Sequence, residues 1–223
     1  MDPTIFDAIR ASDKEAVATL LAGDPQLAHA RNGAGVSALM QARYEFKLEI
    51  VDIIRQAAGE LDVFEAAALG DIPRLRELLT QDPELATAYS TDGFTALQFA
   101  CFFGQSGAVK ELASRGSDLN AVSRNTMKVG VINTAAASQN AEIVKAVLHA
   151  GADPNHQQQA GYTALHEAAT HNNVAMAQAL LDAGADPSIR SDDGKSAVEM
   201  AFTKGHAEVA AVLSPGKQAA AKN

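Results

Sequence analysis

The strongest constraint on this chain is an internal repeat, because one pattern returns along most of its 223 residues. A position predicted to be buried and apolar is followed three residues later by alanine. The apolar members of the pattern are spaced by 34, 24, 34, 35, 33 and 33 residues, and they are Ile5, Leu39, Val63, Leu97, Ile132, Leu165 and Val198. A period of about 20–50 residues predicts a stack of small structural units rather than one globular core.

Each unit has the pattern of two short helices. In the sixth unit, Leu165 and Ala168 mark the inner face of a first helix, and Met176 and Leu180 mark that of a second. Gly184 then follows at the place where a glycine commonly ends a helix. Two helices of this size cannot bury their own apolar faces, so the units are expected to stack on one another.

At this level of detail the chain resembles the ankyrin-repeat family. Residues 161–166 read Gly-Tyr-Thr-Ala-Leu-His where the family has G-x-T-P-L-H, and residues 151–155 match its G-A-D-P-N motif. The resemblance covers residues 2–213 and is clearest in the last four units, although the T-P-L-H proline is absent throughout. It implies an all-α ankyrin-repeat solenoid of about seven stacked helix-turn-helix units with short β-turn or hairpin connections.

On this basis we expect one ankyrin-repeat domain over residues 1–213. Its units fall approximately at 2–31, 32–58, 59–89, 90–124, 125–157, 158–190 and 191–213. The tail, 214–223, contains proline and glycine and is expected to be disordered.

Three departures from a regular repeat stand out. The 24-residue spacing from Leu39 to Val63 indicates that the second unit lacks most of its return hairpin, which predicts a gap in the row of turns. The pairs Asp24-Pro25 and Asp82-Pro83 each predict an extra turn of helix, because aspartate caps a helix and proline suits its first turn. The fifth unit reads Gly-Val-Ile-Asn at 130–133 and predicts an irregular turn.

Composition excludes several classes of protein. The formal net charge is −9 and no segment is strongly basic, so nucleic-acid binding is not expected. The single cysteine, Cys101, excludes an intramolecular disulfide and favours a reducing, cytoplasmic location. Residues 1–10 lack the apolar core of a secretory signal. No apolar run is long enough to span a membrane, so membrane association is not expected either.

Motifs that carry catalysis or bind cofactors are incomplete. Residues 33–38 fit G-x-G-x-x-A, but no strand precedes them as a dinucleotide site would require. His166 and His171 resemble a zinc-binding helix motif, yet a spacing of five separates them by about 140° around the helix, too far for one metal ion. We therefore predict no enzyme activity, catalytic residue, cofactor or metal.

The resemblance implies instead where a partner would bind. In this family the tips of the turns and the exposed pair at the end of each first helix commonly contact other proteins. The register of the repeat identifies these positions in each unit. The chain has only 11 aromatic residues, so a concentration of them at positions expected to be exposed indicates an interaction surface. The candidate binding residues are Tyr44, Leu69, Phe94, Phe102, Phe103, Met127, Val129, Tyr162 and His171. The alternative is that Phe102 or Phe103 turns inward and fills space beside Ala135 and Ala136.

The function that these observations favour is a non-catalytic, monomeric scaffold for protein–protein interaction. It would bind one partner protein along the concave face and the turn tips. Acidic turn residues such as Asp92, Asp192 and Asp193 favour a partner with basic residues around an apolar strip. Two alternatives stay open. One is a small-ligand-binding protein or enzyme with a site in the concave groove near His171 and Lys204. The other is a spacer in a larger assembly.

Overall fold

The computed structural model describes residues 4–214, which form fourteen α-helices arranged as seven consecutive pairs. The helices are α1 (Ile5–Ala11), α2 (Lys14–Gly23), α3 (Ala38–Tyr44), α4 (Leu48–Ala58), α5 (Val63–Leu69), α6 (Ile72–Gln81), α7 (Ala96–Phe102), α8 (Ser106–Ser114), α9 (Val131–Ala137), α10 (Ala141–His149), α11 (Ala164–Thr170), α12 (Val174–Asp182), α13 (Ala197–Thr203) and α14 (Ala207–Leu213). Each pair is one unit of the stack, so the predicted fold class is confirmed.

The first helix of every unit is seven residues long, and its N-terminus is fixed by local hydrogen bonds. In α7, the Thr95 hydroxyl accepts the backbone N–H of Gln98, and the Gln98 side chain accepts that of Thr95. These reciprocal bonds satisfy backbone donors that a helix leaves unpaired. α1, α5 and α13 begin in the same way.

The core is continuous because small residues let neighbouring units approach closely. The first helices of the first six units each bury an apolar residue and an alanine three positions later, as with Leu97 and Ala100 in α7. In α13 of the last unit, Ala201 is buried and Val198 is half-buried. The second helices bury larger aliphatic residues behind them, such as Leu112 and Leu180. No unit has a separate core, so each contributes to the same apolar cluster.

The turns before the first helices form a second row, and we call each of them a turn tip. They lie at 31–37, 89–95, 122–130, 158–162 and 190–196. Consecutive tips from the fourth unit onward are joined by single backbone hydrogen bonds: Arg124 N–H to Gly93 O, Gln159 N–H to Met127 O and Asp192 N–H to Ala160 O. Each tip takes the number of the unit that it belongs to. The fifth tip, 122–130, is two residues longer than the tips at 31–37, 89–95 and 190–196, and the sequence predicted an irregular turn here.

The third unit has no turn tip among the described residues. α4 ends at Ala58, and Asp62 already caps α5. The sequence predicted a gap here, but the tips on either side meet each other. The Thr91 hydroxyl donates to Gly35 O at 3.0 Å, and the Tyr44 hydroxyl donates to the Asp92 carboxylate. We call these two contacts between the second and fourth units the clasp.

Gly35 makes this approach possible. Its φ is +79°, and a Cβ atom there would lie 2.9 Å from the Thr91 Cβ. Glycine therefore serves both the turn and the close contact.

Short 3-10 helices follow both Asp-Pro pairs, at Pro25–His29 and Pro83–Ala86. Asp24 and Asp82 cap them by accepting the backbone N–H groups of Gln26 and Glu84, each at 3.0 Å. A third 3-10 turn, Gln159–Gly161, lies in the sixth tip. Within residues 4–214, no helix is both long and apolar enough to cross a membrane. The tail that the sequence predicts to be disordered lies outside the described residues, apart from Ser214.

Candidate functional site

The candidate site is built on α7, whose sequence places aromatic rings both in the core and at the surface. Phe99 is only 3% exposed, whereas Phe102, nearly one turn further on, is 37% exposed. Phe94 lies in the tip that leads into the helix and is half-buried. Three positions of a short segment therefore join the core to an exposed apolar surface.

Phe99 lies at the centre of an aromatic cluster drawn from three units. Its ring centroid is 5.7 Å from that of Phe94, 6.0 Å from Phe64 and 6.2 Å from Tyr44. Tilted and edge-to-face arrangements at such distances are favourable for aromatic pairs. The cluster supports the floor of the site.

Two adjoining hollows open over this cluster, and we refer to them together as the groove. They share a wall made of Phe94, Phe102, Met127 and Thr134. The first hollow has a volume of about 440 Å³, and its other lining residues are Tyr44, Asp92, Gln98, Phe99 and Asn125. The second has a volume of about 210 Å³, and its other lining residues are Val129, Asn133, Ala137, Gln158, Thr163 and Glu167.

The long fifth tip brings Met127 to the shared wall, where its side chain is 45% exposed. Asn125 holds this tip in place. Its side-chain oxygen accepts the Met127 N–H at 3.1 Å, and its amide nitrogen donates to Asp92 O at 3.0 Å. Gln98 of α7 donates to Val129 O at 2.7 Å. The wall is therefore fixed from both of the units that form it.

Each hollow contains one carboxylate. Asp92, in the first, accepts hydrogen bonds from the Tyr44 hydroxyl and from Ser90. Burial and the adjacent carboxylate raise the pKa of the Tyr44 hydroxyl far above its usual range. Glu167, in the second, accepts from Gln139 at 3.2 Å and pairs with His171 at 3.2 Å. Of the residues that the structure describes, no lysine or arginine lines either hollow.

The structure brings together five of the nine candidate residues. Tyr44, Phe94, Phe102, Met127 and Val129 all line the groove.

Four candidates lie elsewhere. Tyr162 packs edge-on against His166, with ring centroids 5.5 Å apart. His171 is exposed beside Glu167, and Leu69 is half-buried at the end of α5. Phe103 stacks on Phe99, and the Arg43 guanidinium lies 4.5 Å from its ring centroid. Phe103 thus packs inward, but toward the second unit rather than beside Ala135 and Ala136.

Several lining residues were missed by the sequence reasoning. Phe99 has the register of a core residue and is only 3% exposed, yet it lines the first hollow. Thr134 lies one turn before Ala137, so helical spacing from Ala137 could have found it. Asn125 and Gln158 carry no periodic signal, because their positions depend on how neighbouring tips pack. Asn133 and Glu167 lie at fixed positions of α9 and α11, so the repeat could have indicated them.

The residues that metal binding or catalysis would use have the following surroundings. Among residues 4–214, no three His, Cys, Asp or Glu side chains gather as a metal site would need. Cys101 is buried, and burial raises the pKa of its thiol. Residues 33–37 lie in the second unit's turn tip, Ala38 begins α3, and no strand leads into this segment.

His166 has a structural role. Its Nδ1 accepts the Thr163 N–H at 3.1 Å, and its Nε2 lies 3.0 Å from Lys195 O in the next tip. Burial lowers the pKa of this imidazole. A neutral ring with its proton on Nε2 satisfies both contacts.

Comparisons with known proteins give consistent matches. A family model described as "Ankyrin repeats (3 copies)" matches residues 132–223, and a model described as "Ankyrin repeat" matches residues 92–124. Together these matches cover more than half of the chain.

Two curated relatives are similar over part of their length. The chain is 40% identical over 97 residues to a probable E3 ubiquitin-protein ligase, XBOS31, of Oryza sativa subsp. japonica, covering 42% of this chain and 21% of the relative. It is 31% identical over 103 residues to ankyrin repeat and SAM domain-containing protein 6 of Rattus norvegicus, covering 46% and 12%. The matches thus span a small part of either relative.

Proposed function

The chain belongs to the ankyrin-repeat family, and from this premise we propose that it is a non-catalytic scaffold that binds a partner protein in the groove. Ankyrin repeats in general mediate protein–protein interactions. The ligase named among the relatives is matched over only 21% of its length, so only an interaction role is carried over. The single, buried Cys101 suits a reducing compartment, and we propose a cytoplasmic location.

One observation carries the proposal: exposed apolar side chains meet at the shared wall of two hollows. Phe102 and Met127 project there from different units, over a floor of packed aromatic rings. An exposed apolar surface on a folded protein commonly marks an interaction site. Rigidly supported aromatic residues are frequent hot spots for binding.

The test is a selection of displayed random peptides of about twelve residues on the immobilised full-length chain. We expect peptides whose affinity falls tenfold or more for the double variant Phe102→Ser, Met127→Ser. A loss of about 2 kcal/mol, typical of a hot-spot residue, exceeds that threshold. Circular dichroism and urea unfolding would establish that the variant is folded.

The matched control is the double variant Phe46→Ser, Phe202→Ser. These two rings are 67% and 65% exposed and lie outside the groove, so their removal lowers surface apolarity at least as much as the groove variant does. Peptides that bind all three proteins equally, or a selection that enriches nothing, would overturn the proposal. Small molecules that protect the wild type but not the groove variant in a thermal-shift screen would then favour a ligand-binding role.

A further inference from the structure

The groove combines an apolar middle with an acidic group at each end. Phe94, Phe102 and Met127 belong to both hollows, whereas Asp92 lines only the first and Glu167 only the second. We propose that the groove binds an extended segment of a partner protein, with apolar side chains at its centre and a lysine or arginine on each side. This inference rests on the proposed function and specifies the partner's chemistry.

Both carboxylates have capacity left for a cation. Asp92 accepts one hydrogen bond at each oxygen, from Tyr44 and from Ser90, and forms no ion pair with any residue of 4–214. Glu167 uses Oε1 for Gln139 and His171, while its Oε2 accepts no hydrogen bond within residues 4–214. An ionised carboxylate offers about four acceptor sites. When a ligand displaces water from the groove, a positive group is the partner that best stabilises these charges.

The lysine that follows Met127 in the sequence does not line either hollow. Lys128, at the fifth tip, is exposed, and its backbone carbonyl accepts from His156. Arg43 is directed to Phe103 and to Ala68 O, behind the aromatic cluster. The ends of the groove therefore stay acidic, in keeping with a chain of net charge −9.

The distance between the two carboxylates sets a length for the segment. Asp92 lies in the tip of the fourth unit and Glu167 lies in α11 of the sixth, two steps along the stack. At about 8–10 Å between packed helices, this is roughly 16–20 Å. An extended chain rises about 3.3 Å per residue, so the two basic residues are expected about five or six positions apart.

An extended backbone also suits the polar lining. The Gln158 side chain is half-buried in the second hollow and has no hydrogen-bond partner within the described residues. An extended segment presents free N–H and C=O groups to such an amide, whereas a helix pairs its own. The same pair of carboxylates would need basic residues about 11–13 positions apart on a helix.

The test uses synthetic peptides with one apolar core from the selected binders. Their flanking pair is lysine, glutamine or glutamate, and the pair is set five, six or twelve positions apart. We expect the lysine pair at five or six to bind at least about fivefold more tightly than the glutamine pair, and the glutamate pair to bind weakest. Raising the salt concentration should narrow these differences.

Neutral variants locate the contacts. Asp92→Asn and Glu167→Gln should each reduce the preference for the lysine-flanked peptide over the glutamine-flanked peptide by about threefold to fivefold. Asp193→Asn is the matched control, because Asp193 accepts from Ser191 at the same place in the seventh tip and lies outside the groove.

The two proposals fail in different ways. Groove-dependent peptides that lack flanking cations, that prefer the spacing of twelve, or that keep the full preference for flanking lysine with Asp92→Asn and Glu167→Gln would overturn this inference and leave the scaffold role standing. If no peptide depends on Phe102 and Met127, the scaffold role in the groove fails, and the inference fails with it.

Discussion

At the scale of single residues, the third position of the first helix links neighbouring units in the middle of the stack, from the third unit to the sixth. Gln98, Asn133 and His166 accept the backbone N–H at their own helix start. Gln98 and His166 also contact a carbonyl oxygen in the next tip, and Asn133 contacts His156 O just before it. Glu65 occupies this position in the third unit. An ionised carboxylate has no proton to donate, so Glu65 accepts from Ser37 of the preceding unit, at 2.6 Å.

Glu65→Gln is expected to stabilise the fold at neutral pH. Burial, followed by the neighbouring Asp62 carboxylate, raises the pKa of Glu65 in the folded state. The folded chain then binds a proton more readily than the unfolded chain. The stability that protonated Glu65 contributes is therefore complete below the usual pKa of 4.5 and is lost as pH rises through the raised pKa. Urea unfolding from pH 4 to pH 8 should show an advantage for the variant that grows with pH.

Glu199→Gln is the matched control with the opposite sign. Glu199 holds the same helix position, and hydrogen bonds from Arg190 and the Ser196 backbone lower its pKa to about 2. The stability that ionised Glu199 contributes is present above pH 4.5 and is lost as pH falls toward 2. Glu199→Gln should therefore be less stable than the wild-type chain at neutral pH. Parallel pH profiles for the two variants would contradict this account.

Phe46→Gly should raise stability by about 1 kcal/mol. Phe46 has a φ of +55°, a left-handed conformation that is costly for a bulky residue, and its ring is 67% exposed. The equivalent residues in the third, fourth and seventh units are Gly70, Gly104 and Gly205. Gly104→Ala tests the reverse change, because no atom lies within 4 Å of the Cβ it would add and strain alone should lower stability. If Phe46→Gly destabilises the chain in urea unfolding, the exposed ring makes contacts that outweigh the strain.

At the scale of elements, α7 separates packing from binding within one short helix. Phe99→Ala should lower the free energy of unfolding by about 3 kcal/mol or more, because it empties the centre of the aromatic cluster. Phe102→Ala should cost less than about 1 kcal/mol, since its ring is already partly exposed. Urea unfolding of the two variants measures the difference. Equal losses would mean that Phe102 is part of the core and is not available to a partner.

The sequence predicted the helices of this fold well, because their signal is local and repeated seven times. The apolar residue and its following alanine place each first helix, and Asp24-Pro25 and Asp82-Pro83 place two 3-10 turns. The direction of Phe103 could not be predicted in the same way. It depends on Arg43 and Tyr44, about 60 positions earlier in the chain, and on a third unit that has no tip between them.

The groove was predicted only in part, because only some of its lining residues follow the repeat. Phe94, Phe102 and Met127 fall at register positions that the repeat defines. Asn125 and Gln158 reach the hollows because the fifth tip is longer and the sixth contains a 3-10 turn. Such local changes in tip length leave the helical period intact, so periodicity does not reveal them.

At the scale of the whole molecule, the junction between the second and third units is the weakest step in the stack. The contact of α3 with α5 is smaller than that between any other neighbouring first helices, and α4 and α6 barely touch. An ion pair between Arg55 and Asp71 spans the junction at 2.6 Å, half exposed on the arginine side. Stability in a stacked protein is set by such neighbour contacts.

Hydrogen exchange should therefore find the amides of residues 48–70 less protected than those of residues 160–185. Thr91→Val removes the hydroxyl of the clasp, which bonds Gly35 O, and should increase exchange in 48–70 further. Its effect on residues 160–185 should be small, because these lie two or more units away. Equal protection of the two segments in the wild-type chain would sink this prediction.

The clasp also changes how the row of turn tips is aligned with the layers of helices. From the second unit to the seventh there are six layers of helices but, among the described residues, five tips, because α5 has none ahead of it. The tips at 31–37 and 89–95 touch, while the helices beneath them are two layers apart. The row of tips is therefore one repeat shorter than the stack of helix layers. A long partner that contacts one tip per layer from α7 to α13 would be out of register by one layer beyond α5.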